Sequence, residues 1–223
     1  MLAVFASGTG TTLQTLMDCQ EQYNYQISLV VVNRVCLAQE RAEQEGITTL
    51  LSKDWWEIDQ TLTQHQIQLI VLAGFLAIIP QWFCEKWDKK IINIHPSLLP
   101  KFGGKGMYGI RVHEAVLAAG EEQSGCTVHY VSAEVDGGTI IAQSSVPVMS
   151  VDTPEKLAQR VQQAEKNLLP QVIGDLLSNT ELIPLPLRYH SDTTPKELRK
   201  NSERILKEIL KNLYFSCSIW SSA

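Results

Sequence analysis

Short apolar runs alternate with amphipathic stretches along most of the chain. The strand-like runs cover residues 2–6, 27–32, 47–51, 69–73 and 91–94. Stretches with helical periodicity separate them, and the stretch over residues 36–45 is followed by Gly46, a residue that commonly ends a helix. Strands that alternate with helices predict an α/β fold with an open, mostly parallel, Rossmann-like sheet.

The fourth strand-like run is apolar at every position, which is typical of a central parallel strand that is covered on both faces. The loop that follows it contains Leu76, Ala77, Ile78 and Ile79. Ligands of open parallel sheets bind beyond the carboxyl ends of the strands. This loop is therefore interpreted either as the lining of a pocket for a flat ring or as a buried turn of the core.

Two β-rich runs, 126–131 and 139–146, flank a loop that ends in two glycines. They predict an antiparallel pair of strands that extends one edge of the sheet. Asp136 lies in the connecting loop, where a carboxylate before two glycines is either a functional group or only a turn former.

A long helix is predicted to begin at Asp152, Thr153 and Pro154, with Glu155 completing a capping box. Further along this helix, Gln162 and Glu165 are three positions apart and share a face. They either hold polar groups of a ligand together or are exposed without a role.

The C-terminal part of the chain has a different pattern. Residues 183–186 are extended and interrupted by proline, and an amphipathic helix is predicted over residues 194–215. We therefore expect one domain over residues 1–180 and a C-terminal extension over residues 181–223. The helical tail is expected to dock on the body of the protein or on a partner subunit.

A glycine loop, residues 7–12 with the sequence SGTGTT, connects the first strand to a helix. Backbone N–H groups of such a loop and the adjoining helix N-terminus favour an anion, most naturally a phosphate, and the alternative is a tight turn between strand and helix. The loop lacks the dinucleotide fingerprint, because Leu13 stands where the last glycine would be and the second strand ends in Asn33. Arg34 leaves a weak option for the extra phosphate of NADP.

The segment IINIHPSLLP, residues 91–100, carries the chemistry that we regard as central. A strand delivers Asn93 and His95 onto a turn that Pro96 and Pro100 stiffen. A fixed amide beside a fixed imidazole is a candidate for catalysis.

Composition and charge restrict the classes of partner. The chain has 223 residues, a formal net charge of -5 and five scattered cysteines without a CxxC pair. This predicts reduced thiols and no basic surface for nucleic acid. No apolar run is long enough to span a bilayer, and no basic region or cleavage site precedes the first strand, which favours a cytoplasmic protein that binds small molecules.

Taken together and in this order, SGTGTT, LAGFLAIIP, NIHPSLLP and EVDGG resemble the phosphoribosylglycinamide formyltransferase family. The resemblance covers about residues 1–177 and implies a Rossmann-like sheet of formyltransferase type. It implies formyl transfer from 10-formyltetrahydrofolate to the amine of phosphoribosylglycinamide (GAR) in de novo purine (IMP) biosynthesis, with no metal.

By the same resemblance, Asn93, His95 and Asp136 are the catalytic residues. An amine that attacks a formyl group builds up an oxyanion and an ammonium, so the site needs hydrogen-bond donors and a path for a proton. Asp136 would hold the imidazole and favour its charged form. We therefore expect His95 and Asp136 to lie within hydrogen-bond reach, or one water apart, beside Asn93.

The resemblance also implies two sets of binding residues. The substrate would be held by Gly10, Thr11, Thr12, Gln162, Gln163, Ala164 and Glu165. The folate would be held by Leu76, Ala77, Ile78, Ile79, Asn93, Ser132, Ala133, Glu134, Val135 and Asp136.

The chain departs from the family pattern at three places. Ala77 stands where many relatives have arginine, the crossover over residues 52–68 is shorter than in relatives, and the segment FGGKGMYG is longer than in some of them. The way in which this chain binds the folate tail is therefore left open, as is a homodimer.

Three alternatives compete with this interpretation. A formyltetrahydrofolate hydrolase has the same core but normally carries an additional N-terminal domain, for which the sequence before the first strand gives no sign. Methionyl-tRNA formyltransferase carries a longer basic C-terminal domain. A non-catalytic ligand-binding protein of the same fold would leave Asn93, His95 and Asp136 without a role.

The remaining histidines, His65, His113, His129 and His190, lack the spacing of metal ligands and are interpreted as structural or surface residues.

Overall fold

The computed structural model describes residues 1–178, which form one seven-stranded sheet and seven helices. The strands are β1 Leu2–Ala6, β2 Ile27–Val32, β3 Thr49–Leu51, β4 Leu69–Leu72, β5 Ile91–His95, β6 Gln123–Tyr130 and β7 Ile140–Pro147. The helices are α1 Thr11–Asp18, α2 Gln20–Tyr23, α3 Leu37–Gln44, α4 Trp55–Gln64, α5 Gln81–Lys86, α6 Ile110–Ala118 and α7 Pro154–Leu177.

The strand order is β3-β2-β1-β4-β5-β6-β7. The first five strands pair in parallel, whereas β6 is antiparallel to β5 and β7 is antiparallel to β6. This arrangement confirms the predicted parallel sheet with an antiparallel extension at one edge. The last residue of β6, Tyr130, pairs with Ile92 near the start of β5, so the loop between β6 and β7, residues 131–139, leaves the sheet there and folds back towards His95. We call this segment the hairpin loop.

The core lies on both faces of the sheet, because side chains alternate along each strand. In β1, Val4 packs into the cluster formed with α1, α3 and α7, whereas Phe5 packs into the cluster formed with α4 and α5. All four residues of β4 are buried and the strand pairs in parallel on both sides. The prediction of a central parallel strand at this position is confirmed.

The beginnings of two helices show how local side chains fix the ends of elements. Asp54 caps α4, since its carboxylate accepts the backbone N–H of Trp56 at 2.9 Å. Thr153 caps α7 by accepting the N–H of Lys156 at 3.4 Å. The capping box predicted with Glu155 is wrong, because the third helical position after Thr153 is Lys156.

Within residues 1–178, no helix is both long enough and apolar enough to cross a bilayer. The predicted extension over residues 181–223 and its helix over 194–215 lie outside the described residues.

Candidate active site

A cavity of about 460 Å³ lies at the carboxyl edge of the sheet, beyond the ends of β4 and β5. It is lined by Thr12, Leu72, residues 74–79, residues 93–96, residues 104–109, His129, residues 131–136 and Glu165. The glycine loop, β5, the hairpin loop and α7 therefore all contribute to one cavity, although they are far apart in the chain. This is the position at which open parallel sheets bind ligands.

Strand β5 delivers Asn93 and His95 to this cavity, because alternate residues of a strand point to the same side. The His95 side chain is almost fully buried, and its Nε2 lies 2.8 Å from the carbonyl oxygen of Phe102. A carbonyl only accepts, so Nε2 must carry the hydrogen and donate it. The other ring nitrogen, Nδ1, is the one left for chemistry.

Asp136 reaches His95 from the hairpin loop. Its Oδ2 lies 3.5 Å from Nδ1 of His95, as expected for groups within hydrogen-bond reach or one water apart. The same oxygen accepts the backbone N–H of Gly104 at 2.9 Å. Asp136 itself has a left-handed backbone with φ of 57°, a conformation that Asp and Asn tolerate better than most residues. The carboxylate is thus fixed between the imidazole and the segment over residues 101–109.

His129 also belongs to this site, although the sequence interpretation treated it as structural or surface. Its position in β6 pairs directly with Asn93 in β5, so the two side chains lie on the same side of the sheet. Burial lowers the pKa of His129 despite the nearby Asp136 carboxylate and Tyr130 carbonyl, which keeps the ring neutral at pH 7. We therefore treat its 3.7 Å approach to Asp136 as a contact of a neutral ring.

The neutral His129 ring determines which way the Asn93 amide points. Its Nδ1 lies 2.9 Å from the carbonyl oxygen of Tyr130 and must donate to it, which leaves Nε2 as an acceptor. Nε2 lies 3.1 Å from Nδ2 of Asn93, so Asn93 donates one of its two N–H groups to His129. The second N–H of Asn93 is available to a ligand in the cavity. The contact between Asn93 and His129 could have been predicted only from the register between β5 and β6, and a single sequence does not give that register.

The glycine loop is held by its carbonyl oxygens. Arg34 Nε donates to the Ser7 carbonyl at 2.6 Å, the Ala38 N–H donates to the Gly8 carbonyl at 3.1 Å, and Arg41 Nε donates to the Thr9 carbonyl at 2.9 Å. No described protein acceptor is bonded to the N–H groups of residues 8–12. Because the carbonyl groups of the loop are fixed and its N–H groups have no described protein acceptor, this backbone is suited to bind an anion.

Gly10 enables this loop to pack against α3. Its φ is 72°, and a Cβ at this position would lie 2.8 Å from Cα of Ala38. We expect Gly10→Ala to lower the free energy of unfolding by about 2–3 kcal/mol, from the left-handed backbone and the steric clash together. Urea denaturation measures this change.

Gly8→Ala is the matched control, because a Cβ at Gly8 would meet no atom within 4 Å and its φ is not positive. We expect the stability of this variant to change by less than about 0.5 kcal/mol. Equal destabilisation by the two substitutions would contradict the packing argument.

Of the four residues on α7 that were predicted to bind the substrate, one lines the cavity. Glu165 lines the cavity, and its burial raises the pKa of this carboxyl to about 7. Gln162 and Gln163 are exposed, and Ala164 packs partly into the core beneath α7. None of these three residues lines the cavity. The three-residue spacing therefore did not place Gln162 and Glu165 at the same site.

The raised pKa of Glu165 implies a defined dependence of stability on pH. The unfolded chain binds fewer protons at this group than the folded chain between about pH 4.5 and pH 7, so folding is destabilised as the pH rises through that range. We expect Glu165→Gln to gain stability relative to the wild type between about pH 5 and pH 8. Urea denaturation at several pH values measures this difference, and a difference independent of pH would contradict the assignment.

Residues 76–79 form one side of the cavity, which we call the apolar wall. Leu76 and Ile78 are 60% and 79% exposed and lie together on this wall, so they form an exposed apolar patch of the kind that marks a binding site. The wall is fixed to the glycine loop, since the Ser7 hydroxyl accepts the Leu76 N–H at 3.0 Å and donates to Asn33 at 2.9 Å. All the residues predicted to hold the folate line the cavity.

Among residues 1–178, no group of three or more His, Cys, Asp or Glu side chains is arranged to hold a metal ion. His113 is buried on α6, and burial together with the nearby His95 lowers the pKa of its imidazole. His190 lies outside the described residues.

Comparisons with known proteins show the family to which the chain is similar. The sequence model of the formyl transferase family matches residues 1–173. The chain is 41% identical over 188 residues to the chloroplastic phosphoribosylglycinamide formyltransferase of Arabidopsis thaliana, covering 78% of this chain and 64% of that relative. It is 40% identical over 191 residues to the human trifunctional purine biosynthetic protein adenosine-3, covering 80% of this chain and 18% of that relative.

The fold is also similar to that of a solved structure. The phosphoribosylglycinamide formyltransferase from Anaplasma phagocytophilum superimposes with a TM-score of 0.73 at 37% identity, covering 79% of this chain and 86% of that one. The present chain spans less than two thirds of the length of the two curated relatives.

Proposed function

The chain belongs to the formyl transferase family, and we propose that it transfers the formyl group of 10-formyltetrahydrofolate to the amine of phosphoribosylglycinamide, a step of de novo purine biosynthesis. The observation that carries this proposal is the meeting of Asn93, His95 and Asp136 in one cavity between an apolar wall and a glycine loop. The names of the relatives from Arabidopsis thaliana and Anaplasma phagocytophilum support the same acceptor.

The acceptor phosphate would bind at the glycine loop. Support comes from the free N–H groups of Gly10, Thr11 and Thr12 and from the N-terminus of α1, which favours negative charge. Glu165, which is far from this loop in the sequence, also lines the cavity. It would meet the ribose or the glycinamide end of the acceptor. Thr12 lines the cavity, whereas Gly10 and Thr11 do not line it but directly precede Thr12 in the loop. Gln162, Gln163 and Ala164 are not part of this proposal, since they lie inside α7 and neither line the cavity nor adjoin free N–H groups.

The pterin ring of the donor would lie between the apolar wall and the hairpin loop. The wall offers apolar side chains together with backbone N–H and carbonyl groups, which together suit a flat ring with polar edges. Ala77 offers only backbone contacts, so no arginine side chain reaches the donor from this position. The reduced folate is a substrate that carries the formyl group, and the proposed reaction needs no metal.

In the proposed mechanism, the amine nitrogen attacks the formyl carbon and the carbonyl electron pair moves onto the oxygen. The second N–H of Asn93 and the Nδ1–H of protonated His95 donate to this oxyanion. The carboxylate of Asp136 stabilises the imidazolium. In the tetrahedral intermediate, the electron pair on the oxygen then re-forms the carbonyl, and the bond between the formyl carbon and N10 of the folate breaks. The electron pair of that bond stays on N10, which takes up a proton. Overall, one proton moves from the amine to N10.

The phosphoribosylglycinamide assay tests the proposal directly. Purified protein is incubated with 10-formyltetrahydrofolate, with and without the acceptor, and formylated nucleotide and formate are measured separately. Formylated nucleotide is the expected product. Formate released without the acceptor would favour the hydrolase instead, and the absence of folate binding would contradict both enzymes and favour a ligand-binding protein for another molecule.

The proposed partners are these two small molecules. The Arabidopsis thaliana relative is named as a chloroplast protein, so the cytoplasmic location of the present chain stays a prediction.

A further inference from the structure

Asn93 and Asp136 share one further neighbour, the imidazole of His129. Its Nε2 lies 3.1 Å from Nδ2 of Asn93 and 3.7 Å from Oδ1 of Asp136. The other carboxylate oxygen of Asp136, Oδ2, faces Nδ1 of His95 at 3.5 Å. One carboxylate thus lies between two imidazoles, although the proposed mechanism uses only that of His95.

The surroundings of His129 fix the position of one ring hydrogen. Strand β6 pairs with β5 in a register that places His129 opposite Asn93, and the ring is buried. Its Nδ1 lies 2.9 Å from the carbonyl oxygen of Tyr130, which can only accept, so Nδ1 carries a hydrogen whether the ring is neutral or charged. Nε2 is therefore the atom at which this ring gains or loses a proton.

The charge of His129 determines what Nε2 offers to its two neighbours. Without a proton, Nε2 accepts an N–H of Asn93 and keeps the amide nitrogen in place, so that the second N–H stays available to a ligand. With a proton, Nε2 becomes a donor that no longer accepts from Asn93 and that is attracted to the carboxylate of Asp136. The Asn93 amide would then lose its orientation, and Asp136 would pair with His129 instead of His95.

The groups around His129 favour its neutral form. Among residues 1–178, the titratable side chains that act on the ring are Asp136, which favours an imidazolium, and His95, which disfavours a second one when it is charged. Burial lowers the pKa of His129 and outweighs the carboxylate. Glu134 and Glu165 line the same cavity, and β7, with the sequence IIAQSSVP, adds no charge. The imidazolium of this cluster is therefore that of His95.

We propose that His129 is a positioning residue, which in its neutral form holds Asn93 as a hydrogen-bond donor and leaves the Asp136 carboxylate to the His95 imidazolium. The inference rests on the proposed function, since it concerns the same formyl transfer. His129 acts through its neighbours and does not touch the reacting atoms. Its replacement should therefore cost less than the loss of an oxyanion donor itself, which lowers kcat by about 10²–10³-fold.

Two substitutions separate the hydrogen bond from the volume of the side chain. His129→Gln keeps an oxygen that can accept the Asn93 N–H, whereas His129→Leu fills similar space without an acceptor. We expect His129→Leu to lower kcat by about tenfold with KM for both substrates nearly unchanged, and His129→Gln to keep kcat within about threefold of the wild type. Equal losses in the two variants would overturn the proposal, and so would full activity of His129→Leu.

A double-mutant cycle tests whether His129 acts through Asn93. In an Asn93→Ala protein, which lacks the amide, the addition of His129→Leu should lower kcat by less than about twofold. A further loss of about tenfold in the double variant would overturn the proposal. His65→Leu is the matched control, because it introduces the same side chain at the end of α4, outside the cavity, and should leave kcat unchanged.

NMR of the histidine ring nitrogens tests the inference in the wild type without turnover. At pH 7, His129 should be neutral with its hydrogen on Nδ1, and the absence of its signals in His129→Gln assigns them. This tautomer in a protein that transfers no formyl group would contradict the proposed function but support the orientation of Asn93 by His129. A charged His129 ring at pH 7, or a neutral ring with its hydrogen on Nε2, would overturn the inference whatever the activity.

Discussion

Replacing His95 by asparagine is expected to lower kcat for formyl transfer by about 10³-fold, which is the order of effect of removing a positioned acid or base. The imidazole is nearly inaccessible to solvent, its Nε2 is fixed by the Phe102 carbonyl, and its Nδ1 faces Asp136. Asparagine places its amide near the position of Nδ1, but it does not reach the Phe102 carbonyl and cannot carry a positive charge. KM for the two substrates should change far less than kcat, because the substitution removes an interaction that forms as the oxyanion develops.

His65→Asn is the control for this variant. His65 ends α4 and has no place in the cavity, so kcat should equal that of the wild type. Stopped-flow or steady-state measurement of the formylated product gives kcat, and thermal denaturation shows whether each variant is folded. A folded His95→Asn protein with nearly full activity would contradict the catalytic assignment.

The second large effect is expected for Asp136→Asn, with kcat lowered by about 100-fold. Asparagine keeps an oxygen that can accept the Gly104 N–H, and it tolerates the left-handed backbone at this position. The substitution therefore removes the negative charge near His95 while it preserves the loop. Asp136→Ala removes the charge as well but adds backbone strain, so it should also lower the melting temperature.

Asp88→Asn serves as the comparison, because Asp88 is exposed and lies outside the cavity. Its kcat should be unchanged. If Asp136→Asn retained full activity while the protein was folded, the carboxylate would act only as a turn former, which is the simpler interpretation of an aspartate before two glycines.

The elements of the fold could be predicted because each one has a local cause. The apolar runs at β1, β2 and β4 are continuous, and the loop after β1 carries glycines at the positions where the chain turns. The beginning of α7 shows the limit of such reasoning. Asp152, Thr153 and Glu155 all have capping propensity, and only the hydrogen bond of Thr153 to the Lys156 N–H decides which residue begins the helix.

The site could be predicted only where a motif marks it. His95 and Asp136 belong to recognisable segments, so their approach was expected before the structure. His129 was interpreted only as a structural or surface residue, because its contact with Asn93 follows from the pairing of β6 with β5 in a register that places the two residues opposite each other. The exposed positions of Gln162 and Gln163 depend on how α7 rotates against the sheet, which a helical spacing does not determine.

Because the pairing changes from parallel to antiparallel after β5, the formation of the two parts of the sheet can be followed by two different measurements. Trp55, Trp82 and Trp87 pack in the aromatic cluster of α4 and α5, beside the parallel strands. His95 and Asp136, in contrast, approach each other only after β6 has paired with β5 over a long chain separation. During refolding, tryptophan fluorescence from this cluster therefore follows the parallel part of the sheet, whereas recovered activity follows the closure of its antiparallel edge.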